Sequence, residues 1–269
     1  MLAEERRQKI LELLSRKGAV TVAELSEAFG VVPITIRRDL ELLESEGRLV
    51  RTHGGAVIIG EPFQARPLNA KEALNREAKM RIGQRAAAMV NDGEVVILDG
   101  GSTCIEVARA LANKNITVVT NGVKVALELL PHPQITVILV GGICGSQNYE
   151  ANGHETIEAF KRIRAHKYFM GIDALVPGFG ISDGDPNQVQ LKMAKAASSQ
   201  VVIGVADRSK LGKIAVAYVG PIGMMDYLIM DAPVPETLKE SLHKEQVELI
   251  EVEGVEEEKP QEQRSGQSR

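Results

Sequence analysis

Seven apolar runs between residues 95 and 252 place the strongest limit on the fold: VVIL, ITVV, ITVIL, KYFMG, VVIGVA, YLIM and ELIEV. None alternates strictly between apolar and polar residues. A strand with one wet face alternates, whereas a strand covered on both faces does not, so these runs predict a mostly parallel sheet between layers of helix. The runs end on polar or glycine residues: Asp99, Thr120-Asn121, Gly141-Gly142, Asp173, Asp207 and Asp231. In open α/β sheets ligands bind beyond the carboxyl ends of the strands, which makes these endings the candidate site.

The 269 residues leave room for a second, smaller unit, and the texture changes along the chain. Residues 1–57 read as three helices and a short hairpin. Residues 58–75 lack a sustained period, contain Pro62 and Pro67, and read as a linker. Residues 76–253 carry the strand–helix alternation, and the polar stretch 254–269 is expected to be disordered. Two cysteines without a CxxC, Cys104 and Cys144, argue against a disulfide framework or a zinc–thiolate site. The charged start MLAEERRQKI lacks the apolar core of a signal peptide, and no 18-residue apolar run occurs, so the expected address is the cytoplasm and no membrane partner is expected.

In the first region, Ile10, Leu13 and Leu14 share one helical stripe that Gly18 stops. Thr21 with Glu24 three residues later forms a capping-box signature, and Gly30 ends that helix. Pro33 suits the first turn of the next, whose Ile36, Leu40 and Leu43 share a buried stripe. Two helices joined by a short turn containing glycine make a helix-turn-helix. The start of the second helix then presents Thr35, Arg37 and Arg38 outward. RLVRTHGGAV reads as a hairpin wing with Arg51 and His53, and Gly54-Gly55 could supply the positive φ angles of a tight turn. Residues 1–56 hold nine Lys/Arg and nine Asp/Glu, so any grip on DNA depends on where the charge lies. Residues 48–53 contain two arginines, a histidine and no acid. A solvated helix face would explain isolated arginines; the combined turn, helix and wing favour entry into a major groove.

In the second region DGGST places Gly100 and Gly101 where backbone can approach a ligand, with Ser102 and Thr103 at a helix start suited to phosphate. A plain turn capped by Ser102 is the rival reading. The spacing is neither a Walker loop nor GxGxxG. Lys210 follows a strand end in ADRSK, and Asp173 ends another. Either side chain could meet a ligand or merely solvent and turn. His154 is a lone loop histidine, and such residues usually face water.

The strings MLAEERRQKILELL, TVAELSEAFGV and TIRRDLELLESEGRLVRTHGGA resemble the DeoR family of transcription regulators. DGGST, VTNG, VGG, GIDA and ADRSK extend the likeness to that family's sensor domain, which is similar in fold to ribose-5-phosphate isomerase. The resemblance implies an α/β chain: an N-terminal winged helix-turn-helix and a larger three-layer sensor domain. It implies Thr35, Arg37, Arg38, Arg51, His53 and Gly54 at DNA. It also implies Asp99, Gly101, Ser102, Thr103, Asn121, Gly142, Asp173 and Lys210 around a phosphorylated-sugar effector. The implied partners are an operator in double-stranded DNA and further copies in a homodimer or homotetramer, with no cofactor and no metal. The implied role is repression of a carbohydrate-metabolism operon, modulated by the effector. Two departures stand out: Val32-Pro33 replaces the usual capping serine, and GDPNQVQLK carries Asn187, Gln188 and Gln190 where an acid is common. A sugar-phosphate isomerase is the alternative from another class. It would ask for D-x-x-D, yet Met170 stands ahead of Asp173. A protein-docking winged helix is a third reading, disfavoured by the outward arginines.

Overall fold

A computed structural model describes residues 1–17, 19–51, 54–58 and 66–253. His53, the first part of the expected linker and the expected tail lie outside the described residues. The N-terminal unit runs α1 (Ala3–Lys17), β1 (Ala19–Thr21), α2 (Val22–Phe29), α3 (Pro33–Ser45), β2 (Leu49–Arg51) and β3 (Gly55–Ile58). Its capping box forms in full: the Glu24 amide donates to Thr21 Oγ1 at 3.1 Å, and the Thr21 amide donates to the Glu24 carboxylate at 2.8 Å. Gly30 closes α2 in the left-handed region at φ 63°. Pro33 opens α3 behind Val32, which offers no side-chain cap. Ile36, Leu40 and Leu43 pack with Ile10, Leu14, Leu25 and Leu49 into one core. Arg6 and Asp39, both buried, pair at 2.5 Å and tie α1 to α3.

The wing differs from the expected hairpin in two ways. A third strand, β1, joins it in the order β1-β3-β2. Gly55 lies within β3, opposite Thr21, rather than in a positive-φ turn. Its lack of a side chain serves close approach instead: a Cβ there would stand 1.9 Å from the Val20 carbonyl oxygen.

The larger unit comprises α4 (Leu68–Ala73), α5 (Arg76–Ala88), β4 (Val95–Leu98), α6 (Ser102–Ala110), β5 (Thr117–Thr120), α7 (Val123–Leu129) and β6 (Thr136–Leu139). It continues with β7 (Ile143–Cys144), β8 (Ala151–Asn152), α8 (His154–Lys161), β9 (Ala165–Gly171), β10 (Ala174–Val176), β11 (Gly180–Asp183) and α9 (Asn187–Ala197). β12 (Ser199–Ala206), β13 (Ala217–Gly220), β14 (Tyr227–Asp231), α10 (Glu236–Lys244) and β15 (Glu248–Val252) complete it. All seven apolar runs become strands of one parallel sheet in the order β15-β14-β12-β9-β4-β5-β6. Alternate side chains enter two separate cores. Ile97, Tyr168 and Met170 meet Phe160, Leu191 and Leu238 of α8, α9 and α10. Val96, Leu98 and Phe169 meet Ile82, Ile105 and Val125 of α5, α6 and α7. Both faces of the central strands are dry, hence their lack of polar alternation, whereas the edge strand β6 leaves Ile138 and Leu139 exposed. The small antiparallel sheet β10-β11-β13 sits beside this frame. No helix among the described residues is long and apolar enough to cross a membrane.

The second half of the expected linker is not a tether. Residues 68–73 form α4, and Leu68 is 2% exposed within the same core as Ile82 and Leu98. A helix of six residues is too short to display a sustained period in the sequence. Leu68→Ala should cost about 2–5 kcal/mol in denaturant unfolding, as for other buried leucines, whereas a side chain on a free tether would cost under about 0.5 kcal/mol.

Candidate functional site

The exposed face of α3 carries Ile34, Arg37 and Arg38, with Thr35 half-buried at its margin. No described residue forms an ion pair with Arg37 or Arg38. Arg51 is placed differently from the free wing arginine that was expected. Its guanidinium lies 2.6 Å from Glu41 and 3.4 Å from Glu44 of α3, and its amide donates to Glu44 at 2.9 Å. The wing is thereby latched to the recognition-type helix. Gly54 is exposed, and its carbonyl accepts the Val22 amide at 2.8 Å.

At the carboxyl edge of the sheet, β4 hands the chain to α6 through Asp99, Gly100 and Gly101, and a cleft opens there. Gly100 cannot bear a side chain, since a Cβ would press within 2.4 Å of Glu150. α6 starts without a side-chain cap, and its Ser102 and Thr103 hydroxyls make no hydrogen bond within the described residues. Uncapped amides and a helix dipole favour an anion at this point. Asp173 faces Ser102 across the cleft, with Lys71 Nζ at 2.8 Å and Lys210 Nζ at 3.8 Å from its carboxylate. Asp207 caps the short 3-10 turn 208–210 that delivers Lys210.

Asp99 lines the floor yet is already satisfied. It is 2% exposed and accepts hydrogen bonds from Tyr168 Oη at 2.9 Å, the Gly171 amide at 3.0 Å, Lys192 Nζ at 2.9 Å and Lys195 Nζ at 2.6 Å. It organises the floor rather than awaiting a ligand hydroxyl. Asn121, expected in the lining, lies beneath it: fully buried, it accepts from Lys195 at 2.8 Å and donates to the Ala151 carbonyl at 2.8 Å. The polar ending of β5 serves a buried lysine, which sequence reading could not tell from a ligand contact. Gly142, also expected there, is exposed beside Thr156, where a Cβ would come within 2.1 Å of the hydroxyl oxygen; it is needed for backbone shape and lines no part of the cleft. Asp99, Gly101, Ser102, Thr103, Asp173 and Lys210 do come together. His154 is exposed at the start of α8.

Several lining residues went unread: Lys71, Glu150, Asp183 and Lys192. The polar residues of α9 gave a usable signal. Gln188, Lys192 and Lys195 recur at helical spacing, and all three are buried. Gln188, noted as a departure, donates to Glu150 at 2.9 Å.

The lysines decide the electrostatics. Burial works against ionising Asp99, but Lys192 and Lys195 hold it far below the usual carboxylate range. Burial also disfavours ionised Asp173, and Lys71 and Lys210 again win. Burial lowers the Lys210 ammonium despite Asp173 nearby. Glu150 goes the other way: burial, opposed by Lys195, raises its carboxyl to about 7. Burial raises Asp183 likewise, against the pull of Lys192. Each low carboxylate is thus shared by two lysines, while burial raises the other two acids.

Comparison with known proteins fits this geometry. Residues 6–61 match the DeoR-like helix-turn-helix domain, and residues 74–232 match the DeoR C terminal sensor domain. The glycerol-3-phosphate regulon repressor of Escherichia coli K12 is 32% identical over 250 residues, covering 93% of this chain and 99% of that protein. The HTH-type transcriptional regulator GolR of Listeria innocua is 32% identical over 239 residues, covering 88% and 94%. Among solved structures, ribose 5-phosphate isomerase A from Neisseria gonorrhoeae is similar over 54% of this chain and 55% of its own. Its 20% identity and TM-score of 0.38 are too low to bear on function.

Two variants test the buried charges. Asp99→Asn leaves two lysines without their counter-charge and should cost about 3–5 kcal/mol in unfolding free energy. Glu150 binds its proton more tightly folded than unfolded, so wild-type stability should fall as pH climbs from the ordinary carboxyl range through about 7. Glu150→Gln should lack that fall, so its melting temperature should gain on wild type between about pH 5 and about pH 8.

Proposed function

The chain belongs to the DeoR family of transcription regulators, and on that premise we propose that it is a repressor of a carbohydrate-metabolism operon whose grip on DNA is modulated by a phosphorylated sugar. The single observation that carries the reading is the presence on one chain of two features. One is an outward Arg37–Arg38 face. The other is an uncapped helix start flanked by Lys71 and Lys210. The first suits phosphates and base edges of a duplex. The second suits a phosphomonoester, with Ser102 and Thr103 supplying hydroxyls beside the amides of α6. A relative named as the repressor of a glycerol-3-phosphate regulon supports the link to phosphorylated metabolites.

The head acts in the cytoplasm, where its operator lies, and a pair of copies presents two heads to repeated half-sites. The effector works by binding one arrangement of the heads better than another. The rival isomerase reading loses its footing at the residues themselves. Met170, which stands where that chemistry would need an acid, is buried in the sheet core. Asp173 is bound to lysines on both sides. The chain is a regulator and not an enzyme.

Gel-shift titration with the chain's own promoter tests the head. Arg38→Ala should weaken binding about tenfold or more, and the wild-type affinity should fall steeply with salt as counterions are released. Unchanged affinity would refute the assigned face. Lys210→Ala should remove the thermal stabilisation that a sugar phosphate gives the wild type by mass action; a surviving response would place the effector elsewhere.

A further inference from the structure

The two family matches end at residue 61 and resume at residue 74, so α4 belongs to neither. Yet α4 supplies Leu68 and Lys71 to the cleft. We infer that Lys71 is an effector-binding residue, gripping the phosphate of the ligand together with Lys210 and the start of α6, and that the ligand thereby clamps α4. This rests on the reading of the cleft as an effector site.

Three observations lead there. First, α4 is docked independently of Lys71. The Leu68 amide donates to the Gln147 carbonyl at 2.9 Å. Lys124 Nζ holds Asn69 at 2.6 Å and also pairs with Glu72. Lys79, buried on α5, donates to the last carbonyls of the helix, Lys71 O at 2.5 Å and Leu74 O at 2.6 Å. With the backbone so fixed, the Lys71 side chain is not needed to seat the helix. Second, that side chain turns inward to Asp173 at 2.8 and 3.0 Å, with Lys210 also at that carboxylate. Two ammonium groups thus converge on one carboxylate beside the start of α6, where an anion can meet both. Third, a lysine has three donors; the two bonds to Asp173 leave one for a ligand oxygen.

The consequence reaches the head through the chain. Only residues 59–67 separate β3 of the winged unit from α4. A ligand that bridges Lys71 and α6 adds a further hold on the segment that leads to the DNA-reading unit. Ligand identity thus reaches the linker without any contact between ligand and head.

The full chain tests this with sn-glycerol 3-phosphate and inorganic phosphate as probes and glycerol as the uncharged control. In the wild type the charged probes should raise the melting temperature and slow amide exchange across residues 68–74, and glycerol should do neither. Lys71→Met should weaken the charged probes about tenfold or more, as expected for a lost hydrogen bond to an ionised group, and should abolish the added protection. Lys71→Arg should restore part of both. A wild type that binds the probes without protecting 68–74 overturns the inference, whatever the variants do. So does a Lys71→Met protein that binds like wild type, and in both cases the cleft keeps its effector role. A wild type that ignores the charged probes, and every other sugar phosphate tried, overturns the effector reading and this inference together.

Discussion

A single buried carboxylate holds the carboxyl edge of the sheet together. Asp99 ends β4, and its oxygens accept from Tyr168 and the Gly171 amide of neighbouring β9 and from two lysines of α9. Two strands and the helix that covers them therefore meet at one point. Ion clusters of this kind are seldom a net source of stability, because desolvating the charges is expensive. Their value lies in geometry. With the Asp99 carboxylate fixed by four donors and the Gly100 amide on Glu150, the turn that leads into α6 is anchored on both sides.

The cleft's charge follows from the same economy of partners. Asp99 and Asp173 each face two lysines, whereas burial raises the carboxyls of Glu150 and Asp183. A tally of side chains would give three lysines against four acids in the lining and suggest a site hostile to anions. Burial tempers that count, because it disfavours the charged forms of Glu150 and Asp183. The polarity of a site is a property of its burial as much as of its composition. Glu150 also fills the space that Gly100 leaves, so a carboxyl raised to about 7 is the one packed against the phosphate-type turn.

Much of this was legible in the sequence, for identifiable reasons. Thr21, Glu24, Gly30 and Pro33 act within a few residues of themselves, and each sits where local rules put it. The central parallel strands were readable because burial on both faces leaves a run of apolar letters, and the edge strand β6 carries such a run although Ile138 and Leu139 are exposed. What resisted were pairings across long separations. Lys195 reaches Asn121 and Asp99 from 74 and 96 residues away, and Lys71 reaches Asp173 from 102. Position along a strand end told that Asn121 was polar for a reason, but not that the reason lay beneath the floor. Gly142 and Gly55 show the same limit, since a glycine in the sequence does not say whether it spares a ligand, a turn or another strand.

The close approach at Gly55 carries a consequence for how mutations in this protein sort themselves. Its backbone rests against Val20 and Thr21 with no space for a methyl group, so β1, the wing and the first turn of α2 rise or fall as one body. Alanine at this position would splay the little sheet and dislodge Arg51 from its acids on α3. A screen for promoter-blind alleles would recover it beside the arginines, although it faces no nucleotide. Genetic maps of such a head therefore trace its carpentry as well as its contacts.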